Sequence, residues 1–200
     1  MSIPDNNALK PSNLTVELWA KPHALANTTV CGANPHTTQY MLFKRNPRLG
    51  NFEGYTMILD GATLQFVFFV TNASSVQVGL GSKTTFQLDT WYHVVGTFSR
   101  PNLNIYVNGK LELTKTFDSP LDYGSRPLFL GRTGECGGTG EATWDGYYDG
   151  QLDEVAIYDT ALSDAQILLH FQAGASQLQA LEAYPLLEII PRMLRRSFGF

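Results

Sequence analysis

Asn108-Gly109, set between Ile105-Tyr106-Val107 and Lys110-Leu111-Glu112, constrains this chain more than any other pair of residues. Both central residues of a type I′ turn need positive φ, which Asn and Gly tolerate best, so the pair predicts a tight hairpin. Upstream, residues 91–98 alternate aromatic, polar and β-branched side chains, and Ser99-Arg100-Pro101-Asn102 supplies the preceding turn. Residues 91–112 thus read as two antiparallel strands and the opening of a third, with register set by turn chemistry.

Around this unit, strand signals recur about every ten to fifteen residues, the spacing of a sandwich or barrel. Residues 14–20 alternate cleanly, placing Leu14, Val16, Leu18 and Ala20 on one face, and Lys21-Pro22 ends the run. Residues 40–44 form a short strand between two polar loops, 23–39 and 46–54. Residues 55–59 and 64–70 make a second hairpin around Asp60-Gly61, and 76–80 form a strand that Gly79 and Gly81 bring to an end. Residues 127–131 are a short apolar strand, and 151–158 a further one. Alternation slips there at Asp153-Glu154, which predicts a β-bulge. One helix is expected over 164–172, with Ser163 as N-cap, Gln166 as its capping-box partner and Gly174 closing the C-terminus. Residues 177–183 could extend a helix before Pro185 breaks it.

A chain of 200 residues with 44% hydrophobic and 16% charged residues, 18 Gly and 10 Pro describes a folded, turn-rich globular protein, and one helix among about ten strands makes it all-β. A net charge of −4 gives no basic face for nucleic acid. No apolar run reaches the roughly 18 residues of a membrane span. Residues 1–13 lack a basic segment followed by an apolar one, so no signal peptide is predicted. The Asn-x-Ser/Thr triplets at Asn13, Asn27 and Asn72 then read as chance occurrences in a Ser- and Thr-rich β protein.

The succession LTVELWAKP, WYHVVGTF, LNIYVNGK, LFLG and GQLDEVAIYDTALSDAQI resembles a laminin-G-like jelly roll of the concanavalin A-like superfamily, on its pentraxin-related branch. The resemblance covers about residues 4–174 and implies an antiparallel β-sandwich with one short helix near the C-terminus. It divides the chain into a jelly-roll domain, 1–174, and an extension, 175–200. Such domains usually open with a strand ahead of a segment like Ile3-Pro4-Asp5, so a bare sheet edge is expected. The apolar stretch 181–190 or a neighbouring chain would cover it.

Glycoside hydrolases of this fold carry alternating acids on one strand, with the two carboxylates of a retaining pair about 5 Å apart. No strand here has such a run. Glu17 stands alone between Val16 and Leu18, and the adjacent Asp153 and Glu154 point oppositely on a regular strand. Neither GxSxG nor HExxH occurs, and His93 reads as a packed or surface histidine. No enzyme is predicted.

The Gly-rich loop 132–149 is the candidate site. Calcium wants about six to eight oxygens from carboxylates, carbonyls and water. Glu135, Glu141, Asp145 and Asp149 offer carboxylates. The pentraxin resemblance carries a calcium ligand onto Glu135, matches Asp145 and Asp149 loosely, and adds Asn46 and Asn51 from the 46–54 loop. The competing reading is that these acids solvate the loop and cap its turns. Trp144, Tyr147 and Tyr148 offer flat faces on which a sugar can stack, with Arg132 as a polar contact. Against that, the aromatics could fold back over the sandwich edge and Arg132 could neutralise Glu135. Cys31 and Cys136, both in Gly-containing loops, favour a disulfide and hence an oxidising final environment.

Two functions compete. One is a non-catalytic adhesion module that binds a glycan or glycoprotein through a calcium-bearing loop face. The other is a structural or decoration subunit of a larger assembly, such as a virion or surface appendage. In that case the basic, aromatic tail with Arg192, Arg195 and Arg196 would dock other protein subunits through residues 175–200 and the exposed sheet edge. Both imply an extracellular or particle-surface setting.

Overall fold

A computed structural model of the chain describes residues 1–26, 37–46, 53–74, 76–133 and 147–183. Among these residues, eleven antiparallel strands form two sheets. β1 (Ser2–Ile3), β10 (Leu128–Leu130), β3 (Thr38–Asn46), β4 (Glu53–Asp60), β5 (Gln65–Thr71) and β6 (Gln77–Thr85) make one sheet, in that order. β11 (Gly150–Tyr158), β2 (Leu14–Pro22), β7 (Tyr92–Ser99), β8 (Asn102–Val107) and β9 (Lys110–Thr116) make the other. The expected all-β sandwich is present.

The turn chemistry is realised as the sequence predicts. Asn108 and Gly109 have φ of 51° and 74° between β8 and β9. Alternation then sorts each strand into two faces. Leu14, Val16, Leu18 and Ala20 of β2 meet Tyr92, Val94 and Phe98 of β7 in the core shared with Tyr55, Met57, Phe66 and Phe68 of the six-stranded sheet. Gly96 stands where β7 crosses Phe68; a Cβ there would lie 2.4 Å from the ring, so the glycine makes room for it.

The predicted bulge is present too. β11 shifts register against β2 between Asp153 and Ala156, and Glu154 takes φ 47°. One strand expectation is corrected. β6 runs on to Thr85, so Gly79 and Gly81 lie inside it. A Cβ on Gly79 would sit 2.3 Å from the Phe69 ring, so this glycine admits a cross-strand aromatic and does not stop the strand.

The other faces of β2, β7 and β8 carry Glu17, Trp19, His93, Val95 and Tyr106, and the helix α1 (Asp164–Ala183) covers them. Ser163 and Gln166 form the capping box: Gln166 Oε1 accepts from the Ser163 amide at 3.0 Å. Tyr106 donates to Asp164 Oδ1 at 2.8 Å, and Ile167 and Leu162 pack with Val95. The helix does not stop at Gln172. It continues through Gly174, whose missing side chain lets the backbone cross directly over the Trp19 ring; a Cβ would lie 2.5 Å from it. Gly174 thus serves close approach and is not a C-cap.

Candidate functional site

The rim loop is fastened at its base. Gly131, at φ 73°, donates its amide to the Met41 carbonyl at 2.9 Å, and its own carbonyl accepts from the Tyr148 amide at 3.0 Å. Gln39, fully buried on β3, links this loop to its neighbour. Its Oε1 accepts from the Asp149 amide at 2.8 Å and its Nε2 donates to the Ala24 carbonyl at 2.7 Å. The Asp149 carbonyl accepts from the His23 amide at 2.9 Å. A buried amide bonded to two loop stems fixes where both loops leave the sandwich.

Four of the predicted site residues meet at this base. Arg132 lies over the Tyr147 ring, its guanidinium carbon 5.2 Å from the centroid. Asp149 is exposed. Tyr148 packs against the main core, and burial holds its phenol above the ordinary value of 10.0. Asn46 ends β3, paired in register with Glu53. Glu135, Asp145, Asn51, Trp144, Cys31 and Cys136 lie outside the described residues, as do the tail residues Arg192, Arg195 and Arg196. Among the described residues no group of three His, Cys, Asp or Glu could hold a metal ion. The described rim supplies a single carboxylate, from Asp149, whose main-chain N–H and C=O are already engaged. That falls short of the oxygen set calcium requires.

A second constellation, under α1, escaped the sequence reading. Glu17 does not stand alone. His93 Nε2 approaches its Oε1 at 2.7 Å, and His170 Nδ1 lies 3.0 Å from both oxygens. Tyr158 bonds to it as well. Burial pushes the Glu17 carboxyl up, but the hydrogen bonds from His93 and then His170 outweigh it, so its pKa falls below the ordinary 4.5. Tyr158 is pushed up to about 12, by burial first and then by Glu17. His93 is 1% exposed, the packed one of the two alternatives, with Trp19 tilted against it at 5.2 Å. The carboxylate accepts from side chains on β7 and α1, which makes it an anchor for the helix. The signal available in sequence was Trp19 beside Glu17 on the outward face of β2, a large aromatic that calls for a covering element.

With two antiparallel sheets and one covering helix established, comparison with known proteins places the chain. A family model described as the concanavalin A-like lectin/glucanases superfamily matches residues 1–168. The chain belongs to this superfamily. Solved structures agree with that fold. The binding domain of Paraclostridial Mosquitocidal Protein 1 superposes with a TM-score of 0.61 at 14% identity, over 86% of this chain and 40% of that one. A heptameric SAP-like pentraxin from Limulus polyphemus gives 0.55 at 17% identity, over 84% and 71%. The binding domain of Botulinum Neurotoxin DC, solved in complex with SialylT, gives 0.53 at 14% identity, over 85% and 38%. The chain therefore spans about two fifths of the toxin domains it resembles. No curated protein sequence matches it. Within the superfamily's fold, the described residues include no helix long and apolar enough to cross a membrane.

Proposed function

We propose that the chain is a non-catalytic binding module whose rim, residues 131–150, recognises a glycan on a glycoprotein or cell surface, in an extracellular or particle-surface setting. The observation that carries this reading is the pinned base of the loop. The Tyr148 amide closes on the Gly131 carbonyl, and beside that closure stand Arg132 over Tyr147 and the exposed Asp149 carboxylate. A flat ring, a cation and an acid held on fixed backbone are the mixture of apolar and polar contacts that sugar recognition needs. A binding domain of the same fold in complex with SialylT supports the ligand class.

Calcium belongs to the proposal on sequence grounds, with Glu135, Asp145, Asp149, Asn46 and Asn51 as its ligands; the described part of the rim does not form that set. The test is a broad glycan array probed with the intact chain. The expected result is a signal that Trp144→Ala and Tyr147→Ala both lower. Silence across the array would remove the rim reading and favour the scaffold role in a larger assembly.

A further inference from the structure

On the outer face of the five-stranded sheet, beside the crossing of α1, lies a trough of about 600 Å³ that shares no lining residue with the rim. Its aromatic walls are Trp91, partly exposed just ahead of β7, and Trp19, whose ring stacks on Phe171 at 5.9 Å with 19° between planes. Around the mouth stand Lys21, Asp89, Asn108 and Gln179.

These four polar groups hold unused hydrogen-bonding capacity. Asp89 engages one oxygen, Oδ1, with His23 Nδ1 at 2.5 Å, and its side chain is 71% exposed. Asn108 accepts the His93 amide on Oδ1 at 3.0 Å, which leaves its NH₂ group with two protons to donate. Lys21 makes no ion pair among the described residues and contributes up to three donors. Gln179, exposed on α1, adds one donor group and one acceptor.

The positions are also rigid. Asp89 sits at φ 58°, its amide bonded to the Pro22 carbonyl at 2.7 Å, and Asn108 is locked in the type I′ turn at φ 51°. Groups fixed before the ligand arrives lose less entropy when it binds.

Charge selects the ligand class. The trough is lined by one ammonium and one carboxylate, with no further charged residue, so it favours neither an anion nor a cation. Its aromatic walls are too polar-rimmed for a purely apolar guest. A neutral molecule with one flat apolar face and hydroxyls around its edge fits both features. We propose that this trough is a saccharide subsite, separate from the rim, in which a neutral sugar residue stacks on Trp91 while Asp89, Lys21, Asn108 and Gln179 bond its hydroxyls. This inference does not depend on the rim reading.

The test is titration of the intact chain with maltotriose, cellotriose, triacetylchitotriose and lactose, followed by tryptophan fluorescence and by NMR shifts of the Trp91 indole N–H. At least one sugar should give a saturable response, weakened about tenfold or more by Trp91→Ala, as loss of an aromatic stack implies. Gln179→Ala, on the exposed helix face, should weaken it less, and Tyr147→Ala on the rim should leave it unchanged. Thermal melts of each variant confirm that it is folded. Binding that survives both Trp91→Ala and Gln179→Ala, or no saturable response to any of the four sugars, overturns the proposal. Loss of array binding in Tyr147→Ala alone bears only on the rim.

Discussion

Glu17 shows what one buried acid does when three elements converge on it. Its carboxylate on β2 ties His93 of β7 to His170 of α1, a partner 153 residues away. Removing the acceptor would leave two imidazole donors facing each other under the helix, so Glu17→Ala should cost about 2–3 kcal/mol, measured as a drop in urea midpoint. The pH dependence has a definite sign. A carboxyl whose folded pKa lies below the ordinary 4.5 stabilises the fold above that value, and the contribution is lost as pH falls through the folded pKa. Asp5, lowered by Lys10 and then Lys44, acts in the same direction. Glu17→Gln should therefore be less stable than the parent near neutrality and should show a shallower loss of stability below pH 4.5. Equal acid slopes for the two proteins would count against the anchor role. None of this was legible locally, because a lone acid between Val16 and Leu18 reveals neither its register partner nor the helix that closes over it.

Elements whose determinants lie within a few residues were the legible ones. The Asn108-Gly109 hairpin, the Ser163–Gln166 cap and the slip at Asp153-Glu154 all encode local backbone requirements, and each is found where the sequence put it. Glycines whose role is contact across space carry no such local signal. Gly79 faces Phe69, and Gly174 seats α1 on Trp19, so neither ends its element. Gly174→Ala sets two effects against each other. Helix propensity gains about 1 kcal/mol, whereas the new Cβ would meet a buried indole at 2.5 Å, closer than packed atoms tolerate. The ring is 7% exposed and stacked on Phe171, so it has little room to yield. Steric cost should win: Gly174→Ala should be destabilised by about 1–2 kcal/mol in chemical denaturation, and Gly174→Val by more. A stabilised Gly174→Ala would mean that the helix moves freely on the sheet.

For the molecule as a whole, the sandwich acts as a stiff frame that offers the rim at one edge and the α1 trough on one face. The rim is where sequence carried the candidate site furthest and the fold positions it least directly. Residue types there suggest chemistry, but coordination is a property of how distant loops meet, and only the loop base held by Gln39 and Gly131 is described. Calcium linkage tests the proposed ligand set without needing its geometry. A cation that binds the folded chain alone adds RT ln(1 + [Ca]/Kd), about 2.7 kcal/mol at a hundredfold excess over Kd. For a domain of this size that is a rise in Tm of roughly 5–10 °C. Scanning calorimetry with and without millimolar calcium should show such a rise in the parent and none in Glu135→Ala, with Asp149→Asn intermediate because its carboxylate is one donor among several. Magnesium should give a smaller shift, since it demands a tighter, near-octahedral shell than a Gly-rich loop of carboxylates and carbonyls provides. If the parent melts at the same temperature in both buffers, the calcium proposal falls, and the glycan proposal must then stand on Arg132, Tyr147 and the aromatic loop alone.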